Sequence, residues 1–555
     1  MKFKMFSSKT DEFIGRNIHC PRELYKAMDK GDTCEVVMAA YDILKNKLRI
    51  PCLLKKTFKS EELSNLLRTQ SNKCFGLGQY DAAFEGYNMA LLFAPKDSRA
   101  LKLAYSNKSA LFHKIKRYQE CINDIDKCFS LNCPEDLVNK LKNRKEDAIR
   151  LLQPKVTHSE DEYLEFKALL NQTPYIDKHM DIIRECNATK VVATRDIELG
   201  TVVAIEPAFA SNVIDCRYGC CYYCQKFALN LVPCDDCCFV LFCSDECKDL
   251  CMKEYHKIEC DIMDILTTSD VSENLMFKSV IKLVLSGTWE ELIEISKNIE
   301  VENVQFDVHS RFSVLNLRDN KLFKFGQMYN VSFVCAALIR HLETIPHIFP
   351  ESPVERLHAI RALGKIMMFI VLNCKPHLIV QAAKNLKRDT VLYRVCDGIY
   401  GLYPLVENFK KSCENNVTTA FVKNKMVLIA IKPIKSGSEM TLPYMAHDNK
   451  IDLGQKFKYF HTLKNNGDIC KKCADNTHTQ KSQVPYLSSH QQEIFVRSLS
   501  LVVDDIGKNY VLTILCEALT LLSDVDQSDE YKKIYEVFIN FIQLYLLRES
   551  ENMYI

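Results

Sequence analysis

Residues 221–260 read CYYCQKFALNLVPCDDCCFVLFCSDECKDLCMKEYHKIEC. Three cysteine pairs, Cys221/Cys224, Cys234/Cys237 and Cys243/Cys247, are followed by His256 and Cys260, eight soft ligands in forty residues. Zinc in a closed structural site takes four Cys or His side chains, so eight ligands make two sites. A disulfide cluster is the alternative. Spaced C-x2-C pairs ending in H-x3-C suit metal better, and nothing marks the chain as secreted. Cys220, Cys238 and Cys251 lie beside the ligands, so the register is open at those positions.

Around this stretch the composition is that of a globular chain, with 47% hydrophobic and 26% charged residues. Its 555 residues are expected to hold three or four domains. Seventy-three basic and 71 acidic residues leave a net charge of +2, which gives no whole-chain argument for nucleic acid or membrane. The basic residues of the cysteine-rich stretch, Lys226, Lys248, Lys253 and Lys257, are few and do not form the reading pattern of a DNA-binding finger. Direct nucleic-acid binding is therefore not expected. Of 26 cysteines, eleven fall between Cys216 and Cys260 and the others are scattered, which suits a reducing compartment. The N-terminus MKFKMFSSKTDEF has no apolar signal region, and no run reaches the roughly 20 apolar residues of a membrane span. A cytoplasmic and nuclear protein without a membrane segment is the expectation.

Upstream, residues 1–60 read as mixed and mostly helical. Residues 61–152 carry a repeat. Tyr80/Tyr118, Ala83/Cys121, Tyr87/Ile125 and Ala90/Cys128 are each 38 positions apart, with Ser71-Asn72 and Ser106-Asn107 ahead of them. Small and large apolar residues at i, i+3, i+7 and i+10 fill a seam between antiparallel helices. This resembles the tetratricopeptide (TPR) repeat of 34 residues with a four-residue insertion, and stacked repeats of that kind offer a groove for peptides. Residues 153–180 read as a linker and a short helix. Val191–Glu206 is β-branched around Leu199-Gly200 and reads as a β-hairpin. Downstream, Glu290–Ile299, Val334–Glu343 and Val354–Leu372 are periodic helical segments. Thr418–Val422, Val427–Ile431 and Glu439–Tyr444 read as strands, with a turn at Lys435–Ser438. A last pair, Cys470/Cys473, precedes helical patterns at Tyr510–Leu522 and Tyr531–Leu547.

Taken in order, the repeats, the VATRDIELG stretch, the eight-ligand module, the helices, Gly401-Leu402-Tyr403-Pro404 and the C-x2-C tail resemble the TPR-bearing branch of the SET/MYND (SMYD) family of protein-lysine methyltransferases. The resemblance covers about residues 65–475. It implies an α+β multidomain chain: an N-terminal helical segment (1–60), TPR-like repeats (61–152) and the first part of a SET domain (181–215). An inserted MYND zinc finger (216–260), a helical insert (261–395), the catalytic part of the SET domain (396–448), a post-SET cysteine segment (449–480) and a helical C-terminal region (481–555) follow. In that family the zinc ligands interleave, which assigns Cys221, Cys224, Cys243 and Cys247 to one ion and Cys234, Cys237, His256 and Cys260 to the other.

The same resemblance implies S-adenosylmethionine as methyl donor and protein lysines, histones among them, as acceptors. The family's G-x-E-x4-Y element falls on Gly437, Glu439 and Tyr444, which makes Tyr444 the candidate lysine-orienting and cofactor-site tyrosine; a core tyrosine is the alternative. Implied partners are proline-containing peptides at the finger, peptides at the repeats, and chromatin corepressors.

Three departures stand against full catalytic competence. The glycine-rich cofactor loop falls on Ala188-Thr189-Lys190, and glycine is what allows close backbone approach. The N-H-S-C motif falls on Lys410-Lys411-Ser412-Cys413. The family's upstream asparagine aligns with Lys375. A third zinc site retains Cys413, Cys470 and Cys473 but has Asp468 at its fourth position; three thiolates and a carboxylate can hold zinc, the alternative being buried thiols. A SET fold kept as a scaffold for partner recruitment is thus the competing function.

Overall fold

The computed structural model describes residues 22–47, 58–152 and 174–443, except 186–187, 215, 268, 300–305, 316–324, 375, 380–381, 384–393, 396–397 and 413–414. Tyr444, Lys375, Cys413, Cys470, Cys473 and the last two helical patterns lie outside the described residues, as does most of the 153–180 stretch. The chain divides into two units. One comprises Met1–Ser159, Phe209–Glu300 and Phe323–Leu402, the other Glu160–Ala208, Val301–Leu322 and Tyr403–Ile555.

In the first unit, α1 (Arg22–Lys30) and α2 (Thr33–Lys47) precede five successive helices. These are α3 (Glu61–Gly76), α4 (Tyr80–Phe93), α5 (Arg99–Lys114), α6 (Tyr118–Ser130) and α7 (Glu135–Leu151). Ser60 and Ser98 start α3 and α5 by accepting, through Oγ, from the N–H of Leu63 and Leu101. Left-handed residues follow α3, α5 and α6: Gly78 (φ 72°), Lys116 (φ 63°) and Asn132 (φ 58°). Each reverses the chain, so the helices pack antiparallel. The 38-residue offset recurs in the starts of α3 and α5 and of α4 and α6.

Ala83, Tyr87, Ala90, Cys121, Ile125 and Cys128 are all buried in one cluster with Tyr105, Leu111 and Phe112. Burying a large apolar side chain of this kind contributes about 1.5–3 kcal/mol. Gly86 lets α3 and α4 approach: a Cβ there would lie 2.2 Å from Ser71 Oγ.

The same unit holds α9 (Val271–Ser286), α10 (Trp289–Asn298), α11 (Phe325–Leu342) and α12 (Pro353–Asn373), downstream of the cysteine-rich stretch and its helix α8 (Asp245–Cys251). Capping boxes at Asp270/Glu273 and Thr288/Glu291 set the starts of α9 and α10. Helix α2 packs on α11 and α12, some 300 residues away in sequence. Tyr41 Oη donates to Glu343 at 3.0 Å, and Gly364 leaves room for Val37. A three-stranded antiparallel sheet, β5 (Ala210–Val213), β11 (Ile399–Leu402) and β8 (His377–Leu378), lies beside α9, and a short pair joins β9 (Ala382–Ala383) to β10 (Arg394–Val395).

The second unit is β-rich. Strands β1 (Tyr175–Ile176), β4 (Val202–Pro207), β14 (Lys425–Ala430) and β13 (Val417–Val422) form an antiparallel sheet in that order. β13 is buried along its whole length, Thr418 and Thr419 included. The expected hairpin at 191–206 is not formed. Strand β3 (Ala188–Ala193) pairs instead with β2 (Met180–Glu185), upstream of it. The reason is edge occupancy. On its other edge β3 meets residues 437–440: Gly437 N donates to Ala193 O at 2.7 Å and Met440 N to Val191 O at 2.7 Å. β4 has β1 on one side and β14 on the other. Neither strand has an edge left for the other, and the intervening residues bond to β14 and its extension, Gly200 N to Ala430 O and Ile197 N to Ile434 O, both at 2.8 Å.

Candidate metal centre

Within residues 221–260 the chain makes little regular structure, a two-residue ladder of β6 (Val232–Pro233) with β7 (Leu241–Phe242) and the helix α8 (Asp245–Cys251). A π turn at Met252–His256 continues α8 and leads into a helical run through Leu266. A loop this poor in ladder bonds needs another cross-link to hold its shape. Gln225, with φ 65°, turns the chain back after Cys224, and its N–H donates to Cys221 O at 3.0 Å. Ser244 caps α8 through Cys247 N, which places Cys247 in the first turn. His256 and Cys260, four residues apart on a helical run, share a face.

These elements bring the eight side chains into two groups. Cys221, Cys224, Cys243 and Cys247 form one, and Cys234, Cys237, His256 and Cys260 the other; in each, one donor atom per residue lies within 4.8 Å of all the rest. Cys220, Cys238 and Cys251 belong to neither group. Sulfur–sulfur separations are 3.7 Å for Cys224/Cys243, 3.5 Å for Cys243/Cys247 and 3.9 Å for Cys234/Cys260. A disulfide would need about 2.05 Å. A tetrahedron with zinc–sulfur bonds of about 2.3 Å has edges of about 3.8 Å. The donor sets therefore fit zinc in both number and spacing. Bound there, zinc would supply a structural cross-link; with all four positions taken by protein, neither site has room for a reacting water.

In the second group three of the four ligands are buried, and Cys260 is partly so. His256 and Glu259 are fully buried, and Nδ1 of the histidine lies 3.1 Å from Glu259 Oε1. Lys278 of α9 is also fully buried, donating to Ser211 O at 2.7 Å. Burial lowers its pKa from the ordinary lysine value, and the Glu259 carboxylate opposes that shift. Sequence reading missed both residues. No sequence signal marked them, since Glu259 sits among Lys257, Asp261 and Asp264, and α9 also carries Glu273 and Lys282.

The ligand loops rest on the repeat helices through buried polar groups, also unread in the sequence. Asn88 Nδ2 donates to Tyr218 O at 2.7 Å, Tyr105 Oη to Leu231 O at 3.2 Å, and Lys108 Nζ to Leu229 O at 3.3 Å. Lys108 also reaches Asn88 Oδ1 at 3.2 Å and the Asp124 carboxylate at 3.5 Å, while Asn230 Nδ2 donates to Asp124 Oδ1 at 2.7 Å. Burial lowers the Lys108 pKa and pushes Asp124 up to about 6, against the opposing attraction of the pair for each other. The Phe84 and Phe227 rings complete the contact at 6.4 Å.

In the second unit, three motif segments spread over 250 residues converge. Strand β12 (Lys410–Lys411) runs parallel to β15 (Thr441–Leu442), and Ser412 N donates to Leu442 O at 2.8 Å. Residues 437–440 in turn border β3, which carries Ala188, Thr189 and Lys190. Thr189 and Lys190 register with Arg184 and Ile183 of β2, so this segment is a regular strand and not a loop. Lys410 is paired with Glu439 at 3.0 Å and is about half exposed. Asn416 holds the next turn, its Nδ2 donating to Glu439 O and its Oδ1 accepting from Thr441 N.

No protein-family model matches the chain. Among curated proteins it is similar to protein-lysine N-methyltransferase SMYD4 of Danio rerio, 24% identical over 245 residues, 40% of this chain and 32% of the relative. The SMYD4 proteins of Pongo abelii and Homo sapiens are each 19% identical, over 543 and 547 residues; these cover 75% and 76% of this chain and 67% and 68% of the relatives. The chain thus spans about a third of the first relative's length and about two thirds of the other two.

Proposed function

We infer, from this chain's membership of the SMYD family of protein-lysine N-methyltransferases, that it transfers a methyl group from S-adenosylmethionine to protein lysines and captures partner proteins through its zinc module and repeat helices. One observation carries the catalytic part: segments 188–193, 410–412 and 439–442, remote in sequence, lie on adjoining strands. A methyl transfer of this kind asks for an amine and a sulfonium methyl held in line, which is a demand on position more than on reactive side chains. The cofactor supplies the activated methyl; Tyr444, two residues beyond β15, is proposed to orient the acceptor lysine. The finger is proposed to take proline-containing peptides and the repeats to take peptide partners, chromatin corepressors among them, in cytoplasm and nucleus. Among the described residues no helix is long and apolar enough to cross a membrane. Two structural zinc ions are proposed for the finger, with Cys413, Asp468, Cys470 and Cys473 as the candidate set for a third.

A second reading, a catalytically silent scaffold, rests on a specific observation. Ala188 and Thr189 lie in a regular strand where a glycine loop is expected, and Lys410 adds a cation on the adjoining segment. Calorimetric titration of the purified protein with S-adenosylmethionine separates the two. Binding below high micromolar concentration, with labelled methyl transfer to a protein lysine that Tyr444→Phe abolishes, supports the enzyme. Absence of binding, with partner capture that survives Tyr444→Phe and is lost in Cys234→Ser, supports the scaffold. Restoration of binding by Lys410→Asn/Lys411→His would locate the defect in β12.

A further inference from the structure

His256 faces the second donor set with one ring nitrogen and is held by the other. Its Nε2 lies 3.5 Å from Cys237 Sγ, and its Nδ1 lies 3.1 Å from Glu259 Oε1. An imidazole that binds metal through Nε2 keeps its proton on Nδ1, and a carboxylate accepting that proton fixes both tautomer and ring angle. The two stand three positions apart on a helical run, which places them on one face. The rings of Tyr222 and Phe242 stand edge-on to the imidazole at 5.8 and 6.1 Å, so its rotation is blocked on those sides.

A fully buried carboxylate with one hydrogen bond is costly unless a positive charge offsets it. Glu259 Oε2 has no hydrogen-bond partner among the described residues. Lys278 of α9, equally buried, brings a positive charge to the same Tyr222 ring that the imidazole contacts. Its ammonium is fully buried, 4.1 Å from the Tyr222 ring centroid and 4.6 Å from that of Tyr255, and is tied to β5 through Ser211 O. Tyr222 therefore contacts both ends of the chain, its ring lying against the histidine and against the lysine.

We propose that Glu259 and Lys278 are a positioning pair for the second zinc ion: Glu259 sets the His256 tautomer and orientation, and Lys278, caged by Tyr222 and Tyr255, balances the carboxylate from α9. The second site then rests on Glu259 inside the finger and on Lys278 of α9 outside it.

The test is zinc release from the full-length protein to a chromophoric chelator, followed for each equivalent, together with the visible spectrum of the cobalt-substituted protein. Glu259→Gln is expected to speed loss of one zinc equivalent by roughly 10–100-fold. The Cys221/Cys224/Cys243/Cys247 equivalent keeps its rate, and only the cobalt bands of the histidine-containing site shift. Lys278→Met is expected to accelerate the same equivalent, and Glu259→Gln/Lys278→Met to release it more slowly than Lys278→Met alone, since the pair is removed together. If Glu259→Gln does not fold, Glu259→Asp, which keeps the charge and withdraws it from Nδ1, gives the same comparison. Equal acceleration of both equivalents, or unchanged release in Lys278→Met, overturns the proposal.

Discussion

Glu206 shows what a single buried charge does in this protein. It is almost fully buried on β4, and its carboxylate accepts from the N–H groups of Leu405 at 2.7 Å and Val406 at 3.3 Å. Burial raises its pKa well above the ordinary carboxylate value, against the opposing effect of those two hydrogen bonds. The folded state thus binds a proton that the unfolded state has already released. Its contribution to stability is present below the ordinary carboxylate pKa and is lost as pH rises through the folded value. Glu206→Gln keeps an acceptor and does not titrate. Urea unfolding at a series of pH values should show the variant gaining on wild type as pH rises above about 4.5; a difference independent of pH would show that Glu206 does not titrate with folding. The role of such a residue is not written in VVAIEP, where a glutamate in an apolar run reads as a surface position. Only the turn of backbone from residue 404 to 406 makes it a buried cap.

At the scale of elements, the zinc module and the repeat helices share a polar interface whose centre is Lys108 of α5 and Asp124 of α6. A buried ion pair is weak support for stability as a pair, but removing one member strands the other. Asp124→Asn should therefore destabilise the first unit by about 3 kcal/mol, and adding Lys108→Met should recover much of that loss. Chemical denaturation of the two variants and wild type checks both; equal stability of all three would mean the pair is solvated. The repeat positions were legible as period and residue size: Ala83, Tyr87, Ala90 and their partners 38 residues on are the seam of the stack. What covers that stack was not legible. Asn88, Lys108 and Asp124 read as solvent-facing polar residues of amphipathic helices, and their partners lie about 100 or more residues downstream. The 191–206 stretch shows the opposite error. Its β character was plain, but strand pairing depends on which edges other segments have already taken.

At the scale of the whole molecule, zinc should matter beyond the forty residues that bind it. Docking of the ligand loops against α4, α5 and α6 buries Asn88, Lys108 and Asp124 only while those loops keep their shape. Removing zinc with a strong chelator is expected to raise amide hydrogen exchange in these three helices as well as in residues 218–247, and to lower the unfolding temperature. Unchanged exchange in α4–α6 would show that the repeats stand without the finger. By itself the sequence determined the donor inventory, eight Cys and His side chains at metal spacing, because ligand chemistry is a property of residue type and short-range spacing. It also determined the helical seams and the β character of the second unit, which follow from local periodicity. The interleaved grouping of the ligands was implied by the family resemblance; only the tertiary structure decided that Lys278 stands behind His256 and Glu259, and that 188–193, 410–412 and 439–442 meet. Those are contacts between segments far apart in sequence, fixed by which edges and faces remain unfilled when the chain packs.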